Sequence, residues 1–200
     1  LDDVEKAREA LEKAYHGVGY LTVLVTIPQQ RVNEGVVRLA VTEAPVDRLR
    51  VVESRYFDQG AIRAGVPELA EGNVPNFQDM QTELTALNRS PDRRITPVLR
   101  PGKTPGTVEV DLKVQDKLPL HGSVELNDRY SPDTSRTRAN ASIRWDNLWG
   151  RQHSIGLSLQ TVPGAPNESQ VFSANYTWPL RGGDFLAFYG VKSDSDVSAV

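Results

Sequence analysis

Hydrophobic and polar positions along the 200 residues follow two different periods, and the change falls near Lys117. In the opening stretch Leu1, Val4, Ala7, Leu11, Ala14 and Tyr15 recur at spacings of three and four, with Gly17 and Gly19 just beyond. That spacing predicts an amphipathic helix followed by its stop signal. The run Leu21 to Ile27 ends at Pro28 and reads as a strand; after Asn33-Glu34-Gly35, Val36 to Thr42 reads as its hairpin partner.

The pattern restarts near Pro45. Val46 to Glu53 alternates as a strand, Asp58 to Ala64 fits a short helix, and Phe77, Met80, Leu84 and Leu87 mark one face of a second helix with Asn76 as its N-cap. Arg93 to Arg100 and Thr107 to Gln115 then predict two strands joined by a Pro- and Gly-rich loop. Helix, strand ending in Pro, Gly and strand thus recur about 70 residues after their first appearance, which predicts tandem small domains.

Beyond Lys117 the helical period is gone. In Arg136 to Asp146, Thr137, Ala139, Ala141, Ile143 and Trp145 are small or apolar and the residues between them polar. His153 to Thr161 and Gln170 to Trp178 repeat this alternation, and His121 to Asp128 and Phe185 to Lys192 fit strands as well. Polar loops at Tyr130 to Ser135 and Val162 to Glu168 alternate with tight turns at Asn147 to Arg151 and Pro179 to Gly183. Strands of about ten residues, apolar on one side and polar on the other, suit an outer-membrane barrel. Trp145, Trp149, Trp178 and Phe185 would then sit at one level as an interfacial girdle. A water-soluble antiparallel sandwich with one buried face has the same pattern.

Composition narrows the chemistry. There is no cysteine and there are three scattered histidines, so disulfides, thiolate metal sites and cysteine nucleophiles are excluded. A net charge of -3 argues against nucleic acid as a partner. No apolar run is long enough for a transmembrane helix. Gly102-Lys103-Thr104 fails as a nucleotide loop, because Pro97 stands where its first Gly is required and Pro105 blocks a following helix. His121, Ser123 and Glu125 alternate on a strand with no nucleophile turn. The chain therefore reads as a non-enzyme without a cofactor. Its lack of an initiator Met and of any terminating signal reads as a piece of a longer protein.

Several stretches carry a family resemblance. Ala14-Tyr-His-Gly-Val-Gly-Tyr-Leu-Thr-Val-Leu-Val-Thr-Ile-Pro, with Gly35-Val-Val-Arg-Leu-Ala-Val-Thr-Glu, resembles the end of the first polypeptide-transport-associated (POTRA) domain of two-partner secretion transporters, the haemolysin and filamentous-haemagglutinin exporters. Asn88-Arg-Ser-Pro-Asp-Arg-Arg-Ile-Thr-Pro-Val-Leu-Arg-Pro-Gly resembles their second POTRA domain. Leu118-Pro-Leu-His-Gly-Ser-Val-Glu-Leu-Asn-Asp-Arg and Trp145-Asp-Asn-Leu-Trp-Gly-Arg-Gln-His-Ser resemble the first barrel strands and the first periplasmic turn. Gln152 stands where the family usually has Gly.

The resemblance implies an α+β chain: residues 1–44 as the C-terminal part of one POTRA domain, 45–116 as a second, and 117–200 as about the first five transmembrane strands of an antiparallel β-barrel of about 16. It implies an outer-membrane protein with POTRA domains in the periplasm. Its partners would be outer-membrane lipid and an unfolded exoprotein with an N-terminal secretion domain, exported without nucleotide or nucleic acid. The alternative is a POTRA-barrel factor that inserts other barrels.

Site expectations follow. In a POTRA domain the strand after the second helix is, by resemblance, a sheet edge, and Pro97 supports this independently. An extended client would add itself along Ile95 to Leu99, so Arg94, Ile95, Thr96, Val98, Leu99 and Arg100 form the expected site, with Arg94 and Arg100 adding charge selectivity. Phe77, Met80 and Leu84 chiefly pack the core, and whatever remains at the rim would line a groove. On the strands, Ile143, Leu157 and Phe172 are expected to face lipid. Arg136, Arg138, Arg144 and Ser158 are expected on the polar, lumen-facing side, for which a plain solvated face is the other reading.

Overall fold

The computed structural model describes residues 2–32, 35–129, 135–180 and 184–195. The chain divides into two units, Leu1–Lys117 and Leu118–Val200.

In the first unit α1 (Asp2–Gly17) carries Asp2, Asp3 and Glu5 in its first turn, where the helix dipole favours negative charge. Arg8 bridges Glu5 at 2.7 Å and Glu12 at 2.9 Å. β1 (Leu24–Thr26) and β2 (Ala40–Thr42) pair antiparallel, and both are shorter than the pattern predicts. The cause is local. Turn bonds from Leu21 to Gly19 and from Val23 to Tyr20 occupy the start of the first run, and the Gln30 side chain takes both the N–H and the carbonyl of Arg38.

Next come β3 (Val46–Val52), α2 (Gln59–Ala64), a 3-10 turn at Pro67–Leu69 that the pattern does not announce, α3 (Phe77–Leu87), β4 (Arg93–Pro101) and β5 (Val108–Asp116). Asp58 caps α2 by accepting from Ala61 N–H, and Asn76 caps α3 by accepting from Gln78 N–H. The sheet order is β3-β5-β4, with β3 parallel and β4 antiparallel to β5. Leu49, Ile62, Val66, Leu69, Val110, Leu112 and Val114 fill the core between sheet and helices. Met80, Leu84 and Leu87 join that core, as the helical stripe predicts.

The second unit is one antiparallel meander, β6 (Leu120–Asn127), β7 (Arg138–Leu148), β8 (His153–Thr161), β9 (Gln170–Pro179) and β10 (Phe185–Asp194), forming an open five-stranded sheet. β7 runs past its expected end because a bulge between Trp145 and Leu148 prolongs it into the turn. Among the described residues no helix is long and apolar enough to cross a membrane, which leaves open a crossing made by strands.

Candidate functional site

β4 lies at the edge of its sheet. Two contacts fix its start to α3: the buried Arg93 guanidinium donates to the Leu87 carbonyl at 2.5 Å and sits 4.8 Å over the Phe57 ring, and Asn88 grips Ile95. Burial pulls Arg93 down from its ordinary value, against the opposing charge of Asp116. Asn88 Oδ1 accepts the Ile95 N–H at 2.7 Å and its Nδ2 donates to the Ile95 carbonyl at 2.9 Å. Ile95 therefore points its backbone groups away from β5. Pairing with β5 is unbroken from Arg93–Asp116 to Pro101–Val108, so Pro97, Leu99 and Pro101 share that outward orientation.

Side chains of β4 divide by face. Ile95 is buried and Leu99 packs partly against the core, whereas Arg94, Thr96, Val98 and Arg100 are on the solvent side. The expected charge selectivity narrows there, because Arg100 binds Asp111 at 2.5 Å and Asp111 also holds Arg50 at 2.7 Å. Arg94 stands exposed.

The opposite edge is capped over its first half. On β3, Val46 N–H donates to Asn73 O and its carbonyl accepts Gly72 N–H, each at 2.8 Å. The Leu49 N–H donates to Glu71 Oε1, and Arg63 Nη2 donates to the Leu49 carbonyl.

A groove does form on α3, away from the residues expected to flank it. Phe77, Met80 and Leu84 line an apolar hollow of about 320 Å³ together with His16, Gly19 and Leu21 from the segment after α1. Phe77 N–H donates to the Gly19 carbonyl at 2.9 Å, and Asn76 Nδ2 to the Val18 carbonyl at 2.9 Å. The repetition of apolar spacing flags these α3 residues as core, but nothing in the sequence announces that the turn at Gly19 meets them.

In the second unit the pairing sorts every side chain by face. Gly122, Ile143, Leu157, Ala174 and Gly190 form one cross-strand row, flanked on the same face by rows containing Leu120, Trp145, Ile155, Tyr176 and Phe188, and Val124, Ala141, Leu159 and Phe172. The face expected for lipid is thus apolar across β6 to β9, about 20 Å along a strand from Trp178 to Phe172, and on β10 Lys192 interrupts it beside Phe172. Ser123, Ser142, Ser158 and Ser173 make a row on the other face, with hydroxyl contacts of 2.8 Å between the first pair and 2.5 Å between the second. Arg138 and Arg144 share that polar face, while Arg136 stands just before β7. Arg144 and His121 both approach Asp146, at 2.9 and 3.3 Å, and Ser154 donates to it at 2.7 Å. His121 and Ser123 are committed to these different neighbours.

Two expectations need correction here. Phe185 pairs with Pro179 at the level of the tryptophans but points to the opposite face from Trp178, because its odd register places it with the serine side. On the tryptophan face the girdle is completed by His153, whose ring stacks on Trp178 at 5.8 Å and meets Trp149 edge-on at 5.8 Å. Second, the polar face does not persist: on β10 Phe185, Ala187, Tyr189 and Val191 occupy it. Of the connections, residues 130–134 and 181–183 lie outside the described residues. The Val162 to Glu168 loop is pinned, since Glu168 accepts the Ser135 N–H and hydroxyl, each at 2.8 Å. Those two bonds and nearby Arg138 hold the Glu168 carboxyl below its ordinary range.

Comparison with known proteins bears on this arrangement. Residues 1–44 match the profile of the POTRA domain, ShlB-type, and residues 106–196 match that of the haemolysin secretion/activation protein ShlB/FhaC/HecB. Both ends of the chain are thus similar to the haemolysin secretion/activation proteins, the first through a POTRA domain of their type and the second through the family profile itself. Curated relatives include the outer membrane transporter CdiB of Dickeya dadantii, 25% identical over 90% of this chain and 32% of the relative, and CdiB-2 of Burkholderia pseudomallei, 24% identical over 71% of this chain and 24% of the relative. The solved structure of CdiB from Escherichia coli superposes with a TM-score of 0.69 at 20% identity, covering 92% of this chain and 34% of that one. BamA from Haemophilus ducreyi shares the fold more distantly, with a TM-score of 0.59 at 17% identity, covering 100% of this chain and 38% of that one. The chain spans between 24% and 38% of the length of these relatives.

The one noted departure from the family pattern, Gln152, has a visible cost. Gln152 adopts φ 61°, beside Trp149 at 58° and Gly150 at 69°, in the left-handed region that favours glycine. Its N–H is held by the buried Asn147, whose Oδ1 accepts at 3.1 Å.

Proposed function

We propose that the protein containing this chain is an outer-membrane transporter that receives an unfolded exoprotein in the periplasm and exports it through a β-barrel, without nucleotide, cofactor or covalent chemistry. The observation that carries this reading is the two-faced wall of β6 to β9. It offers an apolar face with an aromatic girdle to lipid, and a row of short hydroxyl side chains to a water-filled interior. In this reading residues 1–44 end a first POTRA domain, 45–116 form a second, and 117–200 begin the barrel. The turns at Asn147 to Arg151 and Pro179 to Gly183 face the periplasm, and the loops at Tyr130 to Ser135 and Val162 to Glu168 face outward. The client's first contact is the open edge of β4, over Arg94, Ile95, Thr96, Val98, Leu99 and Arg100.

The test uses the full-length gene in cells that also carry any large secreted repeat protein encoded by a neighbouring gene, whose presence itself favours export. Deleting residues 45–116 should abolish appearance of that protein in the medium while other outer-membrane barrels stay at normal levels. A general fall in outer-membrane barrels would instead favour an assembly factor. Cysteines at Asn167 and Arg151 add a topology check: only Asn167→Cys should react with an impermeant reagent on whole cells.

A further inference from the structure

We propose that β4 is a docking edge with a single donor: an extended polypeptide pairs across Pro97 to Pro101, and its one reciprocal pair of bonds is made at Leu99. The proposal deepens the client-binding reading given above and rests on it. Four residues of the strand, Ile95, Pro97, Leu99 and Pro101, point backbone groups outward. Ile95 is already satisfied at both its N–H and its carbonyl by the Asn88 side chain. Pro97 and Pro101 have no N–H. What the edge offers is therefore three carbonyls, of Pro97, Leu99 and Pro101, and one N–H, of Leu99.

The two edges of this sheet differ, because the first half of β3 is capped by side chains and loop backbone whereas β4, among the described residues, is capped only at Ile95. β3 has Val46 and Leu49 bonded to Asn73, Gly72, Glu71 and Arg63. On β4, Asn88 closes one end and leaves a five-residue segment. A strand added there donates its own N–H groups to three carbonyls and receives one bond in return. Only the client residue opposite Leu99 both gives and accepts, so a client proline at that place loses half of the reciprocal pair. The occupant is an unfolded segment with its own N–H groups free and no proline in register, which describes an extended client before it folds. Asn88 competes for the neighbouring length of the same edge, and the two prolines keep the pairing weak enough to release.

The experiment uses the full-length transporter in detergent with a short synthetic peptide alternating valine with threonine and lysine as the probe. Affinity is read by fluorescence anisotropy and the footprint by amide hydrogen exchange. The expected footprint is new protection at Leu99. Pro97→Val restores a donor at an outward position, and one added backbone bond should tighten binding about three- to tenfold. Asn88→Ala should extend protection to Ile95, and Leu99→Pro, which places a third proline at an outward edge position, should weaken binding by a similar factor. Thermal unfolding of each variant controls for folding, and Pro97→Val, which keeps a β-compatible side chain, carries the test if Leu99→Pro fails to fold. Protection on β4 with affinity and footprint unchanged in Pro97→Val and Asn88→Ala would overturn the single-donor proposal and leave the client reading standing. Protection absent from β4, or confined to β1 and β2, would overturn both.

Discussion

A Cβ atom on Gly19 would lie 2.3 Å from Oδ1 of Asn76, although 57 positions separate the two residues in sequence. The same oxygen caps α3 through Gln78 N–H, and the same amide's nitrogen donates to the Val18 carbonyl. One side chain therefore both starts a helix and fastens the turn after α1 against it.

Asn76→Asp separates these two roles. The carboxylate keeps the cap and gains from the helix dipole, but it loses the donor to Val18. Asn76→Ala loses both and should cost about 1–2 kcal/mol in urea unfolding. Gly19→Ala should cost more than the cap alone, since it adds a clash to a backbone at φ 103°. Equal stability of Gly19→Ala and the parent would show that this contact is dispensable.

The turn after β7 makes a prediction of the opposite sign. Gln152→Gly removes the left-handed penalty, worth about 1 kcal/mol, and should raise the unfolding midpoint of the unit that β6 to β10 form. Asn147→Ala should lower it, because Asn147 holds the Gln152 N–H from a buried position.

Neighbouring residues on β8 test the face assignment. Leu157 lies in the apolar row and Ser158 in the serine row. In the intact membrane protein Leu157→Arg should cost about 2–4 kcal/mol near the bilayer midplane, and Ser158→Arg should be tolerated. Heat-modifiable mobility on gels reports the folded fraction, and equal loss from both would place the wrong face toward lipid.

Two carboxylates predict pH effects of opposite direction. Glu83 accepts the Glu68 N–H at 3.2 Å while burial, with help from Glu68 and Asp79, raises it above its ordinary value. A raised carboxyl binds its proton more tightly folded than unfolded, so its protonated form favours the fold and that advantage is lost as pH rises. Glu83→Gln should therefore raise the melting temperature at neutral pH and lose this advantage near pH 4.

Glu168 is lowered, so its contribution is present above the ordinary carboxylate range and lost as pH falls below it. The Ser135 amide proton, followed by NMR, should titrate below that range in the parent and show no such step in Glu168→Gln.

Much of this arrangement is legible in the residues because period and packing agree. Ile143, Leu157 and Phe172 alternate with polar neighbours, and pairing places Ile143 directly beside Leu157. The α3 stripe likewise announced its burial. What the pattern misses is set by single long-range side-chain bonds: Gln30 on Arg38 shortens β1 and β2, Asn76 on Val18 creates the α3 groove, and Asn88 on Ile95 trims the edge. Spacing carries no signal for such bonds. Phe185 was misplaced for a different reason: the turn length before β10 fixes which face an odd position takes, and both faces of that strand are apolar.

The uneven edge of β4 also bears on how the protein avoids itself. Two copies meeting antiparallel about their Leu99 residues would set Pro97 of each against Pro101 of the other, carbonyl facing carbonyl with no hydrogen between them. Only the two bonds across the central leucines would form. An exposed strand is ordinarily a template for polymerisation; in this register the template cannot copy its own sequence, and on the proposed reading the two prolines that limit self-pairing belong to the same edge that a foreign chain would use.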